Sequence, residues 1–156
     1  MRAFGIAICL WAILLASPLF GQAAVSRTEE ARLRLQQAEQ LYAVGDYESC
    51  RDLLDGYIRQ QEEGSFSFPP KNLARIYALR ALVAYAFRGE GEGYREELRG
   101  LLLAAVKLDP DLELGSPSQI PALVLDQFQS IKRDYLAQFS RTERRLNIGL
   151  LGALVI

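Results

Sequence analysis

The sequence predicts an all-α fold of two antiparallel helical hairpins and a C-terminal capping helix, about five helices in all, behind a signal peptide. Three observations predict it. Apolar residues recur at helical spacing through most of the chain, and no segment sustains the alternation of a strand. The breaks between these stretches fall on Gly, Asp and Pro where such residues stop or start helices.

The chain begins with a leader. Met1-Arg2 supplies a positive start, Phe4 to Ala16 is an unbroken apolar run, and Ser17-Pro18 breaks it. Gly21-Gln22-Ala23 then places small residues where a signal peptidase needs them. Cleavage is expected after Ala23, with Ala24 as the next choice. The competing reading is an uncleaved membrane anchor, although the run is shorter than the roughly 20 residues of a spanning helix. Cys9 lies inside the apolar run and not behind a lipobox, so lipoprotein processing does not fit. Residues 1–23 are thus read as a signal peptide, 24–141 as a helical domain and 142–156 as a basic-then-apolar tail. The predicted location is exported, in the bacterial periplasm.

The first helix is expected over about Thr28 to Val44. Thr28-Glu29-Glu30 offers a cap with acids in the first turn, and Ala31, Leu35, Ala38, Leu41 and Tyr42 follow at helical intervals. Gly45 ends it. Asp46 is placed as N-cap of a second helix, Tyr47 to Gln61, because its carboxylate can accept from otherwise unpaired amides. Tyr47, Cys50, Leu54, Tyr57 and Ile58 share one face of that helix, and Gly56 inside it costs on the order of 1 kcal/mol relative to Ala.

Glu62 to Pro70 reads as a loop closed by a stiff Pro-Pro pair, with Phe66 and Phe68 tucked against the core. The third helix, Lys71 to Arg88, is apolar nearly all round, which places it centrally with several sides buried. Gly89 to Gly93 is a glycine turn. The fourth helix, Tyr94 to Leu108, stops before Asp109-Pro110. Ser116 or Ser118 is expected to cap the fifth helix, with Pro117 or Pro121 in its first turn. Its apolar stripe is Ile120, Val124, Phe128, Ile131, Tyr135 and Phe139.

Composition narrows the function classes. Without the leader the chain is roughly 130 residues, enough for one domain with a core. It then carries 17 basic and 19 acidic residues, so nothing global draws it to nucleic acid. Charge is uneven: Arg27 to Glu63 holds five basic and nine acidic residues, whereas Gln127 to Ile156 holds five basic and two acidic. Cys50 is alone once Cys9 leaves with the leader, so an intrachain disulfide is excluded and a buried, hydrophobe-like thiol is expected.

There is no histidine, which removes the commonest neutral-pH base and metal ligand. One thiol cannot build a thiolate metal site. Gly89-x-Gly91-x-Gly93 follows a helix and carries Glu90 and Glu92, which would repel phosphate; it is a turn. Glu62-Glu63 and Glu96-Glu97 are adjacent on helices and point apart, so they read as solvated faces. No catalytic, cofactor or metal residue is proposed from the sequence.

Leu41 to Leu54, with Gly45-Asp46-Tyr47 at its centre, resembles the middle of a tetratricopeptide (TPR) repeat. Ala38 supplies the small residue for close packing, and Cys50, Leu54, Tyr57 and Ile58 the inner face of the second helix. The third and fourth helices look like another unit, ending in Ala104-Ala105-Val106-Lys107-Leu108-Asp109-Pro110. Tyr47 and Leu54 recur as Tyr94 and Leu101 at an offset of 47, wider than the roughly 34 residues of a regular repeat. Leu108-Asp109-Pro110-Asp111, then Ser116-Pro117, Phe128 and Arg133, is similar to helical domains of exported bacterial TPR-like envelope proteins.

The resemblance implies a protein- or peptide-binding scaffold. In that family the first helix of each repeat lines a concave surface. Carried onto this chain, the partner-binding face would include Arg32, Leu35, Glu39 and Tyr42, then Arg75 and Tyr85 of the third helix. Two units fall below the three usually needed for an open array, so a compact bundle closed by the fifth helix competes with an open groove.

Arg144-Arg145 followed by the apolar residues Leu146 to Ile156 supplies the alternative. Eleven residues cannot span a bilayer as a helix. The tail is an interfacial anchor, a docking piece or the start of a further element, and truncation of a longer protein whose next element is a membrane helix or another domain is the favoured reading among these. Oligomeric state and partner identity are not encoded in any motif.

Overall fold

The computed structural model describes residues 27–88, 92–115 and 120–152, with side chains as far as Gln138 in the last segment. Among these residues there are five helices and no strand: α1 (27–43), α2 (Tyr47–Glu62), α3 (Pro70–Arg88), α4 (Glu92–Leu108) and α5 (Ala122–Gly152). The all-α class follows the sequence expectation. The leader, the centre of the glycine turn at 89–91, and Ser116, Pro117 and Ser118 lie outside the described residues.

Three residues turn α1 into α2. Gly45 takes φ +82°, the left-handed conformation that only glycine adopts without strain. The Asp46 amide then donates to the Leu41 carbonyl at 3.0 Å and the Gly45 amide to Tyr42 at 3.1 Å. This pair of bonds is a Schellman motif, and it satisfies carbonyls that a helix end leaves open. Asp46 in turn caps α2, its carboxylate accepting from the Ser49 amide at 3.2 Å. Below the turn, Ala38 and Cys50 are both fully buried, and the Cys50 thiol donates to the Ala38 carbonyl at 3.3 Å.

The α2–α3 loop is packed by its own aromatics. Phe68 is buried with its ring centroid 5.5 Å from Tyr57, and Phe66 stands edge-on to it at 4.6 Å. The Arg34 guanidinium lies 4.2 Å from the Phe66 ring centre and donates to Gln60, tying α1 to the loop. Pro69 accepts the first free amides of α3, from Asn72 and Leu73, so Pro70 occupies the first helical position.

Helix α3 is the shared wall of two cores. Leu73, Ile76, Leu79 and Val83 face the cluster built with Ala31, Leu35, Ala38, Cys50, Leu54 and Tyr57. Ala74, Ala78 and Ala81 face a second cluster with Tyr94, Leu98, Leu102, Ala105, Val124 and Phe128. The small side chains on that second side let α4 approach closely. Arg80, only 9% exposed, bridges the neighbours: its Nε lies 2.7 Å from Asp55 on α2 and a terminal nitrogen 3.1 Å from Glu97 on α4. The contacts of Arg51 with Phe87 and Arg80 with Asp55 run in opposite order along α2 and α3, so these helices are antiparallel. Tyr85–Tyr94 and Arg80–Glu97 show the same for α3 and α4.

The internal correspondence is one residue longer than the sequence comparison placed it. Cys50, Leu54 and Tyr57 on α2 match the buried Leu98, Leu102 and Ala105 on α4, whereas Leu101 is half-buried. Burial follows the face turned to α3, which a match on Tyr47 and Tyr94 does not track.

Asp109 closes α4, accepting from the Leu112 amide at 3.1 Å through its carbonyl and from Asp111 at 3.2 Å through its carboxylate. Leu112 and Leu114 then drop into the second core while Glu113 between them stays exposed. Helix α5 begins one residue after Pro121, whose carbonyl accepts from Val124 at 3.0 Å and Leu125 at 3.1 Å. Pro121 therefore caps the helix and is not inside its first turn. Val124, Phe128 and Ile131 are buried as the stripe predicts, Ile120 and Tyr135 are half-buried, and the Phe139 side chain lies outside those described. Lys132 donates to the Leu112 carbonyl at 3.1 Å and pins the connection against α5.

Helix α5 continues for 31 residues to Gly152, through residue 141 where the sequence analysis ends the domain. At about 1.5 Å per residue it is roughly 46 Å long. No helix among the described residues is long and apolar enough to cross a membrane.

Candidate functional site

Helices α1 and α3 and the α4–α5 connection enclose a groove of about 230 Å³. One wall is Glu39 and Tyr42 of α1, one turn apart. The floor is Ala78, Leu79 and Leu82 of α3, which recur at the spacing of a single helix face. Arg75 stands one turn before that floor. Leu112 to Gly115 and Ile120 form the opposite wall. Residues 112–114 are buried, exposed and buried in turn, so the Leu112 and Leu114 side chains close the bottom and Glu113 is left on the rim.

The groove opens onto a broader polar shelf of about 470 Å³, which shares Arg75, Leu112 and Glu113 with it and adds Lys71, Asn72, Asp109 and Asp111. None of the Glu39, Glu113 or Asp111 carboxylates pairs with Arg75 or Lys71 within 4 Å among the described residues. Burial pushes the Tyr42 phenol above its ordinary value, with smaller contributions from Tyr47 and Cys50. It therefore remains a neutral hydroxyl at physiological pH. The Tyr42 ring is braced by Tyr47, 5.4 Å away between centroids.

The six residues singled out from the sequence divide evenly. Glu39, Tyr42 and Arg75 come together in the groove. Arg32 is exposed and held by Glu29 at 2.6 Å, a contact that keeps the Glu29 carboxyl below its usual value. Leu35 is packed in the first core and does not line the groove. Tyr85 is half-buried and packs edge-on to Tyr94 at 6.0 Å, away from the groove. Residues 112–115 and Ile120 were not singled out. The signal for them is the Leu-Glu-Leu alternation directly after Asp-Pro-Asp, a short period-two pattern in an otherwise helical chain.

A second depression of about 390 Å³ lies between α4 and α5, lined by Arg99, Leu103, Lys107, Ile131 and Asp134 among others. Two helices alone form it, and Tyr135, Ala137 and Gln138 on its edge have other interactions. Among the described residues no three metal-ligating side chains come together. The Cys50 thiol is buried, hydrogen-bonded and pushed up to about 11, so it is poorly suited to act as a nucleophile. Side chains gathered in the groove offer hydrogen bonds, charge and apolar contact; they contain no nucleophile held by a base. No protein-family model, curated protein or solved structure matches the chain.

Proposed function

We propose that this chain is a non-enzymatic, TPR-like scaffold of the bacterial envelope, exported to the periplasm, that holds a segment of another protein in the groove between α1, α3 and the α4–α5 connection. The observation that carries this reading is the groove itself. Three separate elements converge on one apolar floor and place Tyr42 and Arg75 at its edge, two of the residue types enriched among those that dominate binding energy at interfaces. Successive antiparallel helices closed by α5 and the Gly45-Asp46-Tyr47 turn support the TPR-like part. The leader of residues 1–23 supports export.

Capture from envelope extract tests it. Tyr42→Ala combined with Arg75→Glu is expected to reduce recovery of specific partners at least about tenfold, which corresponds to about 1.4 kcal/mol. Arg32→Glu, outside the groove, is expected to leave recovery unchanged. Equal capture by all three proteins, with unchanged melting curves, sinks the groove.

The alternative reading, the exported helical part of a membrane-anchored envelope protein, has one observation in its favour. Helix α5 runs without a break past Arg144-Arg145 into the apolar tail as far as Gly152. Membrane fractionation with and without residues 146–156 separates the two readings. If both forms stay in the soluble fraction, the anchor is ruled out.

A further inference from the structure

The groove has a charge preference as well as a shape. Its rim and shelf carry Glu39 from α1, Lys71 and Arg75 from α3, and Asp109, Asp111 and Glu113 from the connection. Four carboxylates therefore stand against two cations. Elsewhere on α1 the opposite arrangement holds: Arg32 is neutralised by Glu29 at 2.6 Å and Arg34 by Glu30 at 2.7 Å, each within a helical turn. Around the groove the acids stand on α1 and the connection and the bases on α3, and among the described residues they do not pair within 4 Å. With a screening length of about 8 Å at physiological salt, neighbouring rim charges act on an incoming group together.

The apolar part sets the other half of the recognition. Leu79, Leu82, Leu112, Leu114 and Ile120 surround a volume of about 230 Å³. That is below the roughly 300–1,000 Å³ typical of small-molecule sites, and it suits one or two bulky side chains.

Resting on the reading that this groove holds a protein segment, we propose that its occupant is a peptide segment in which a bulky apolar side chain adjoins at least one Lys or Arg. The apolar side chain fills the space between Leu79, Leu82, Leu112 and Ile120. The cation sits between Glu39 on α1 and Glu113 on the connection, which face the same space from opposite walls. Lys71 and Arg75, on the α3 end, face backbone carbonyls of the segment and give it a direction. An acidic segment would meet four carboxylates and is disfavoured.

Fluorescence anisotropy on the purified full chain tests this with three labelled nonapeptides, identical except that a central Leu is flanked by Arg, by Gln or by Glu. The Arg peptide is expected to bind at least about tenfold more tightly than the Glu peptide and to weaken as salt is raised. That advantage is expected to disappear in Glu39→Gln with Glu113→Gln, two exposed positions whose change leaves the thermal melt unaltered. Equal or tighter binding of the Glu peptide overturns the charge assignment and leaves the groove reading standing. So does an Arg preference that survives the double substitution, because the charge then acts elsewhere. Binding of none of the peptides, or binding that Tyr42→Ala and Leu82→Gln leave untouched, overturns the groove reading and this proposal with it.

Discussion

Cys50 shows how far one side chain reflects its surroundings. Full burial, and secondarily the Asp46 carboxylate, push its thiol up to about 11 despite the opposing hydrogen bond from the Tyr42 backbone and the charge of Arg80. In the unfolded chain the same thiol titrates near about 8.5. Folding therefore favours the protonated form. The associated stability is fully present below about pH 8.5 and is lost as pH rises toward about 11. Urea titrations of the native protein and Cys50→Ala between about pH 8 and 10.5 should diverge in slope, with the native protein losing stability faster. The phenols of Tyr57 and Tyr77 are also pushed up by burial, with no contribution from Cys50, whereas Tyr42 loses the small contribution of Cys50 in the variant. Parallel curves would mean that Cys50 titrates freely. The buried role of this cysteine was legible from its place on a helix face; the upward shift was not, because it depends on what else packs there. Arg80 is a sharper case. It is one of four basic residues on α3, and the approach of Asp55 and Glu97 from two other helices makes it a nearly buried clamp.

At the scale of elements, two glycines separate conformation from space. A methyl group added at either Gly45 or Gly56 would meet no atom within 4 Å. Gly45 nevertheless sits at φ +82°, so Gly45→Ala should cost about 1–2 kcal/mol through backbone strain in the Schellman turn. Gly56 lies within α2, where Gly56→Ala should stabilise by up to about 1 kcal/mol. Urea denaturation of the two variants should give shifts of opposite sign; shifts of the same sign would remove the conformational explanation. Local signals of this kind made the first hairpin readable in the sequence, down to its N-cap. The start of α5 was less readable because two serines and two prolines compete there as helix signals. Pro121 won through a carbonyl that accepts two amides, a property no residue type advertises.

For the whole molecule, the controlling feature is that α3 belongs to both cores. Leu54 lies in one cluster and Leu102 in the other, both fully buried. Replacing either with Ala should cost about 2–5 kcal/mol. Because α3 cannot lose one core and keep its place in the other, each variant should still unfold in a single transition. Circular dichroism and amide exchange followed across the same urea series check this. Two separated transitions in Leu54→Ala would show that the halves are energetically independent.

The sequence by itself determined the all-α class, the two hairpins, the central position of α3 and the helix faces that would be buried. These follow from periodicity and from caps, which act within one or two turns. Only the tertiary structure decided which polar residues share a site. Glu39, Tyr42 and Arg75 were candidates alongside Arg32, Leu35 and Tyr85, and nothing local distinguishes the two sets. Residues 112–115 and Ile120 make the distinction, because they stand opposite Glu39 and Tyr42 and turn part of one helical surface into a groove. That closure is a long-range packing event between segments some 70 residues apart, and apolar burial, which is non-directional, leaves no local mark of where it will occur.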